Sequence, residues 1–225
     1  MLVLGIDTAT RRASVGLIAD GSILAEQSRL ADASHAVSLL PLIDSVLAAA
    51  AVQVDELDAV AVSAGPGSFT GLRVGLSIAK GLTYATGARL VTVPTLEALA
   101  RAVPAGDEPV CALLDARKGE LYAACFSRAA EFRWTMEERL LTPEQLMEVL
   151  PRPVVVIGDA VPRYGAWLRE RAGDAVRLLP FEIHGPRGSI VAQLGRQSLQ
   201  SVGGGADDTA EPAYIRLCDA ERNRK

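Results

Sequence analysis

Cysteine, histidine and aromatic residues are scarce in this 225-residue sequence. The three cysteines are odd in number and form no Cys-x-x-Cys motif, which excludes a disulfide scaffold and favours reduced thiols in a cytoplasm. The histidines are His35 and His184, and Leu39 stands where a second ligand one helical turn after His35 would be needed. Neither histidine belongs to a recognisable Ser-His-Asp or Cys-His arrangement. The sequence therefore predicts no metal site and no hydrolase-type catalytic group.

A basic surplus and a long hydrophobic run are also lacking. The net charge of −4 and the pI of about 5.3 argue against a surface that grips nucleic acid strongly. The longest apolar region, residues 36–52, is interrupted by Pro41 and Asp44 and is too short to span a bilayer. The first seven residues show no basic region or cleavage site of a signal peptide. We therefore expect a globular, cytoplasmic protein without membrane contact.

What the sequence does contain is a long glycine-rich stretch. Residues 60–62 predict a buried strand, residues 65–67 (Gly-Pro-Gly) a tight turn, and residues 68–86 a helix capped by Ser68 or Thr70. The spacing of the glycines fits neither the Walker pattern nor the dinucleotide fingerprint. A close-packing turn is therefore favoured over a phosphate cradle, which stays open as the alternative.

The helix predicted over residues 68–86 is apolar around most of its circumference. Its polar residues form one narrow stripe, which consists of Arg73, Ser77, Lys80 and Tyr84. Mostly apolar residues fill the remaining arc of roughly 220°, whereas a helix that packs on one face of a sheet needs an apolar arc of only about 100°. Gly71 and Gly75 lie one turn apart and invite the close approach of another backbone, because a helical glycine costs about 1 kcal/mol against alanine. This helix is expected to bury two sides.

The order of the predicted elements occurs twice along the chain. Three strands, a helix, a strand, a helix, a strand and a helix lie before residue 103 and recur after residue 109, separated by a linker rich in Pro, Gly and charge. We therefore predict two lobes, residues 1–103 and a shorter, degenerate lobe of residues 110–225. The clearest helices are predicted over residues 34–51, 68–86, 95–102, 162–171 and 189–200, and a further one opens at Thr142. Asp20-Gly21 is the strongest hairpin signal.

Two lobes of β-β-β-α-β-α-β-α order that face a cleft are the arrangement of actin, sugar kinases and the heat-shock ATPases. The predicted fold class is therefore α/β of the duplicated, actin-like (ASKHA) type. This assignment is an analogy of folds and leaves the function open.

Five motifs carry a resemblance to a known family. They are residues 4–10 (LGIDTAT), 65–75 (GPGSFTGLRVG), 79–82 (AKGL), 114–120 (LDARKGE) and 211–216 (EPAYIR). With them the chain resembles the bacterial TsaB (YeaZ) family, which takes part in making threonylcarbamoyladenosine beside the anticodon of tRNA. The resemblance covers most of the chain, and the motif at residues 65–75 is the longest and most specific.

The resemblance implies a partner and no catalysis of its own. Members of this family are taken to be shortened, non-catalytic relatives of the transferase TsaD, which they bind and activate, and the ATPase TsaE joins them. Pairing in the family uses the first two helices of the N-terminal lobe, which correspond to residues 34–51 and 68–86 here. The resemblance also implies a homodimer when TsaD is absent, and contact with tRNA through the complex.

The residues support a docking surface on these two helices. The first helix places its apolar residues within an arc of about 160°, and its other face carries Asp44 as its one charge after His35. Together with the second helix this gives a predicted interface of Leu39, Leu42, Ile43, Val46, Gly71, Leu72, Gly75, Leu76 and Ala79. Gly75→Arg is then expected to block pairing. The alternative is that the two helices merely cover one another.

A residual nucleotide site is the competing hypothesis. Asp7 lies at a strand end and could hold a magnesium-bound water, and Thr8 and Thr10 could touch phosphate. This would make the chain an ATP-dependent phosphotransferase of the actin fold that uses Asp7. Asp115 occupies the corresponding position in the second lobe, but bulky residues follow it. We favour the reading in which each aspartate caps its own turn, so no cofactor is predicted and weak nucleotide binding stays open.

Two basic pairs are predicted at the hairpin turns, Arg11-Arg12 and Arg117-Lys118. They could face a shared cleft or an RNA backbone. Residues at hairpin tips are usually just solvated, so this remains a weak indication.

Overall fold

The computed structural model describes residues 1–30, 35–129, 131–201 and 210–213. The predicted helix start at Ser34, the motif residues Tyr214, Ile215 and Arg216, and Cys218 lie outside these ranges.

The first sheet is built from the first five strands. These are β1 Leu2–Asp7, β2 Arg12–Ala19, β3 Ser22–Leu30, β4 Ala59–Gly65 and β5 Arg89–Pro94. Their spatial order is β3-β2-β1-β4-β5, with antiparallel pairing from β1 to β3 and parallel pairing from β1 through β4 to β5. Asp20 and Gly21 form the predicted hairpin turn, with φ of 50° and 90°.

The second sheet repeats this topology. Its strands are β6 Val110–Arg117, β7 Glu120–Ser127, β8 Arg133–Leu141, β9 Val154–Ile157 and β10 Val176–Leu178. Their order, β8-β7-β6-β9-β10, corresponds strand for strand to the first sheet. The predicted duplication is therefore confirmed.

The helices begin and end close to their predicted positions. They are α1 His35–Ala49, α2 Phe69–Thr86, α3 Thr95–Arg101, α4 Pro143–Val149, α5 Val161–Ala172, α6 Phe181–His184 and α7 Gly188–Ser201. The Ser68 hydroxyl accepts from the Gly71 N–H and caps α2, which ends at Gly87 in the left-handed conformation. Thr142 caps α4 as predicted. α6 was not predicted, because four residues are too few for a helical period.

The last described helix of each half, α3 and α7, packs against the sheet of the other half. α1 and α2 cover one face of the first sheet, and α4 and α5 cover one face of the second. The opposite face of the first sheet is covered by α7, and that of the second by α3. A Cβ added at Gly5 or Gly16 would collide with the backbone of α7, so α7 lies directly on β1 and β2. The predicted boundary between residues 103 and 110 thus lies between the two sheets in the sequence. The helices α3 and α7, however, each cover the sheet that lies on the other side of this boundary.

Within the described ranges, no helix combines the length and the apolar character that crossing a membrane requires.

Candidate functional site

The residues predicted to contact a partner are buried within the chain itself. Leu39, Leu42, Ile43, Val46, Leu72, Leu76 and Ala79 are at most 7% exposed, and Gly71 and Gly75 are buried too. Most of them belong to the core cluster between the two helices and the first sheet. The set is therefore not exposed in the single chain, because the apolar arc of α1 packs against its own sheet and against α2.

The second buried side of α2 faces the turn that follows β1. The Thr8 hydroxyl donates to the Gly71 carbonyl oxygen over 2.8 Å, and the Ser68 N–H donates to the Ala9 carbonyl oxygen over 2.7 Å. A Cβ at Gly75 would collide with the Thr8 hydroxyl. The close approach predicted from the glycines is real, but the approaching backbone belongs to the same chain. This supports the close-packing interpretation of the Gly-Pro-Gly turn over a phosphate cradle.

The outer faces of α1 and α2 carry exposed apolar residues that sequence reasoning did not select. On α1, Val37 is 75% exposed and Leu40 is 48% exposed, with Pro41 beside them. On α2, Phe69 is 43% exposed, and the Arg73 guanidinium lies 3.8 Å from the centre of its ring. We call Val37, Leu40, Pro41 and Phe69 the outer helix surface.

The outer helix surface lies where both helices begin, because His35 at the start of α1 packs beside Gly71 near the start of α2. Tyr84, which is 95% exposed, lies near the other end of α2. The angular positions of the apolar residues did not reveal this surface, because the wide apolar arc itself was taken as the part of the helix that a partner would cover. The signal that points to it is the shortage of charge on the other face of α1, which was noted from the sequence but not used to choose residues: Asp44 is the only charged residue among the exposed positions of α1.

Asp7, Thr8 and Thr10 are brought together by the turn after β1, but their side chains bind within the protein. Asp7 is fully buried, accepts from the Ser63 hydroxyl over 2.5 Å and accepts from the Ala9 N–H over 3.1 Å. Burial raises the pKa of Asp7, and these two hydrogen bonds and nearby His35 partly offset the rise. Asp7 therefore caps its own turn.

The threonine hydroxyls are also engaged. Thr8 donates to Gly71, as described above, and the Thr10 hydroxyl both donates to the Arg12 carbonyl oxygen and accepts from the Arg12 N–H. The Thr10 carbonyl oxygen accepts from the His35 ring nitrogen Nε2 over 2.8 Å. His35 is thus buried and links α1 to this turn.

A cleft of about 530 Å³ lies between the two hairpin turns. Arg11 and Arg117, one from each turn, both line it, so the predicted shared cleft exists. Arg12 points elsewhere and lies 3.4 Å from the Ser28 hydroxyl. The remaining polar lining consists of Thr10, His35, Ser68, Thr70, Asp115, Tyr122 and Asp159.

The carboxylates of the cleft have partners from the second lobe. Asp115 accepts from the Arg117 N–H over 2.9 Å, which caps its own turn, and from the Arg163 guanidinium over 3.1 Å. Asp159, which sequence reasoning did not select, accepts from the Asp115 N–H over 2.9 Å. Burial chiefly raises the pKa of Asp159 to about 6, and Asp115 and Asp7 add to the rise, while the Asp115 N–H and Arg117 oppose it.

Among the described residues, no three His, Cys, Asp or Glu side chains lie in an arrangement that could hold a metal ion.

The sequence comparisons identify similar proteins over nearly the whole chain. The family model described as TsaD, tRNA N6-adenosine threonylcarbamoyltransferase, matches residues 23–159. The chain is 31% identical to the tRNA threonylcarbamoyladenosine biosynthesis protein TsaB of Escherichia coli, over 96% of the chain and 95% of the relative. Identity to TsaB of Haemophilus influenzae is 33%, over 96% of the chain and 94% of that protein.

Solved structures confirm the fold. YeaZ from Pseudomonas aeruginosa superposes with a TM-score of 0.77 at 28% identity, covering 95% of this chain and all of that one. Component A of (R)-2-hydroxyglutaryl-CoA dehydratase from Acidaminococcus fermentans has a TM-score of 0.56 at 11% identity, over 89% of this chain and all of its own. The second match concerns the fold alone and agrees with the predicted duplicated ASKHA class.

Proposed function

The chain belongs to the TsaB family, and we propose that it acts in tRNA threonylcarbamoyladenosine biosynthesis as a non-catalytic subunit that binds and activates a TsaD-type transferase. The similarity to proteins named for this pathway, over nearly the full length of both chains, is the observation that carries the proposal. The match of residues 23–159 to a model of the transferase family supports descent from a common ancestor.

We propose that docking uses the outer helix surface. Its four residues are exposed, apolar or cyclic, and lie at the starts of α1 and α2, whereas the residues first considered for docking are buried. Apolar side chains exposed on a face with little charge are typical of a surface that a partner covers. A TsaE-type ATPase would join the pair, and tRNA would be met through the complex.

The test replaces Val37 by Asp and measures binding to the TsaD-type transferase by calorimetry. We expect at least a tenfold loss of affinity, because a carboxylate would be desolvated in the contact. Ile183→Asp is the matched control, since Ile183 is also 75% exposed but lies on α6. Equal affinities of the two variants would refute docking through this surface. Both variants should keep the unfolding midpoint of the unchanged chain.

The same surface is proposed to pair two copies of the chain when the transferase is absent. Sedimentation should then show the Val37→Asp chain shifted toward the monomer and the Ile183→Asp chain unchanged.

We further propose that the subunit works without a nucleotide of its own. The support comes from the hydroxyls of Thr8 and Thr10 and both oxygens of Asp7, which are engaged by groups of the chain. Titration with ATP and Mg²⁺ should give no saturable heat. Micromolar binding would instead favour the phosphotransferase hypothesis. Asp7→Ala would not be a clean probe of it, because it also leaves Ser63 and the Ala9 N–H without their acceptor.

A further inference from the structure

Two cysteines lie side by side on adjacent strands of the second sheet. Cys111 on β6 is directly opposite Cys125 on β7 in the antiparallel register. Their sulfur atoms are 2.9 Å apart, and both side chains are buried in the cluster between the sheet and the helices α4 and α5. Both thiols are free. Nothing in the proposed docking function uses this pair.

We propose that Cys111 and Cys125 form a redox site, which hydrogen peroxide converts from a dithiol to a disulfide within one hairpin. A disulfide bond is about 2.05 Å long, so the two sulfurs at 2.9 Å would need to approach by less than about 1 Å. Because the residues are already paired in register, rotation of the side chains supplies this movement and the strand pairing is kept.

The chemistry balances with the peroxide as the only oxidant. One cysteine sulfur attacks the O–O bond, which breaks, and gives a sulfenic acid and one water molecule. The second sulfur then attacks the sulfenic sulfur, so that the S–S bond forms and the S–O bond breaks. The hydroxyl group leaves with the remaining thiol proton as a second water. The two sulfurs together lose two electrons, and the peroxide gains them.

Burial determines which oxidants can act and how fast. Burial chiefly raises the pKa of Cys111 well above its ordinary value, and Cys125 adds to the rise, so this group is held as the thiol. Oxidation is therefore slow and favours small, uncharged oxidants. Once a sulfenic acid has formed, however, the second thiol is already in contact with it. The disulfide is then the expected product ahead of further oxidation to sulfinic acid.

The disulfide would tie together the two strands that enter the cleft. β6 leads to Asp115 and β7 begins beside Tyr122, and both residues line the cleft. Oxidation should therefore stiffen this wall of the cleft. Of the outer helix surface, Phe69 lines the same cleft, whereas Val37, Leu40 and Pro41 on α1 do not line it.

The experiment uses the full chain with Cys218→Ser, so that only the buried pair can react. The folded protein is treated with hydrogen peroxide, and the products are mapped by mass spectrometry of non-reduced peptides. We expect a peptide linking Cys111 to Cys125, a loss of two hydrogen atoms from the intact mass, and full recovery with dithiothreitol.

Cys111→Ala provides the control, because Cys125 then has no neighbouring thiol and should accumulate sulfenic and sulfinic acid. Two results would overturn the proposal. One is sulfinic acid on either cysteine of the Cys218→Ser chain without a linked peptide. The other is a pair that stays reduced until the chain is unfolded by urea. Both results are measured on the Cys218→Ser chain itself, so the proposal can be tested even if the Cys111→Ala variant fails to fold.

Discussion

Gly75 has no room for a side chain, and this makes it a test of how α2 is packed. A Cβ there would collide with the Thr8 hydroxyl and lie 3.5 Å from a methyl group of Val62. Gly75→Ala should therefore push α2 away from the turn after β1 and weaken the bond from Thr8 to Gly71. We expect the free energy of unfolding to fall by about 1–3 kcal/mol, measured with urea.

Gly81 on the same helix is the control for Gly75. It is exposed, and a Cβ there would meet nothing within 4 Å. Gly81→Ala should raise the free energy of unfolding by up to about 1 kcal/mol, because alanine favours a helix more than glycine does. Equal effects at the two positions would contradict the packing described. The Gly75→Arg test of pairing is unsuitable for the same reason, since it would disturb the core before it reached any partner.

Glu138 on β8 should make stability depend on pH. One of its oxygens is buried without a hydrogen-bond partner among the described residues. Burial and the nearby Glu97 carboxylate raise the pKa of Glu138 to about 7. The folded state therefore holds this proton more tightly than the unfolded chain does. The resulting stability is fully present below about pH 4.5 and is lost as the pH rises through about 7.

Glu138→Gln should remove this part of the pH dependence. Urea unfolding from pH 4 to pH 8 should show the variant gaining stability over the unchanged chain as the pH rises. Glu137→Gln changes the exposed neighbour and should leave the profile as it was. A profile for Glu138→Gln that parallels the unchanged chain would show that Glu138 ionises normally.

At the scale of elements, most helices and strands could be predicted from the spacing of the apolar residues and from the residues that typically begin or end such elements. The apolar arc of α1, for example, contains the leucine, isoleucine and valine residues that the structure buries, although Leu40 in the same arc is 48% exposed. The same arc could not reveal what covers it. A partner protein and the chain's own sheet both need an apolar helix face, and only the tertiary structure distinguishes them. For this reason the residues of the predicted interface are buried inside the chain, while the close approach at Gly71 and Gly75 was predicted correctly.

The position of α7 could not be predicted from local sequence, because it depends on contacts across nearly the whole chain. Ala192 lies in the middle of this contact, fully buried against the first sheet. Ala192→Asp would place a carboxylate there without a partner. We expect a loss of at least about 3 kcal/mol in the free energy of unfolding.

Ser198 on the exposed side of α7 gives the matching control. Ser198→Asp should change the free energy of unfolding by less than about 0.5 kcal/mol. If Ala192→Asp were equally mild, α7 could not be packed on the first sheet as described.

At the scale of the whole molecule, the exchange of α3 and α7 between the two sheets makes each half depend on the other. Without residues 104–225, the face of the first sheet that carries Val3, Ile18 and Val91 would lose α7. In the same fragment, Leu96 and Leu99 of α3 would lose the second sheet. Both faces are apolar, so their exposure opposes folding. The repeated sequence pattern thus describes two similar sheets in one cooperative structure.

Fragments that correspond to the halves test this dependence. Residues 1–103 alone should show no cooperative urea transition by circular dichroism and should bind a hydrophobic dye, as loosely packed chains do. Mixing them with residues 104–225 should restore a cooperative transition, because each fragment supplies the helix that the other needs. A cooperative transition of residues 1–103 on their own would contradict the argument, since that sheet would then be stable without α7. The mixture also shows whether the chain break alone prevents folding, because it contains the same break, which lies in the linker between α3 and β6.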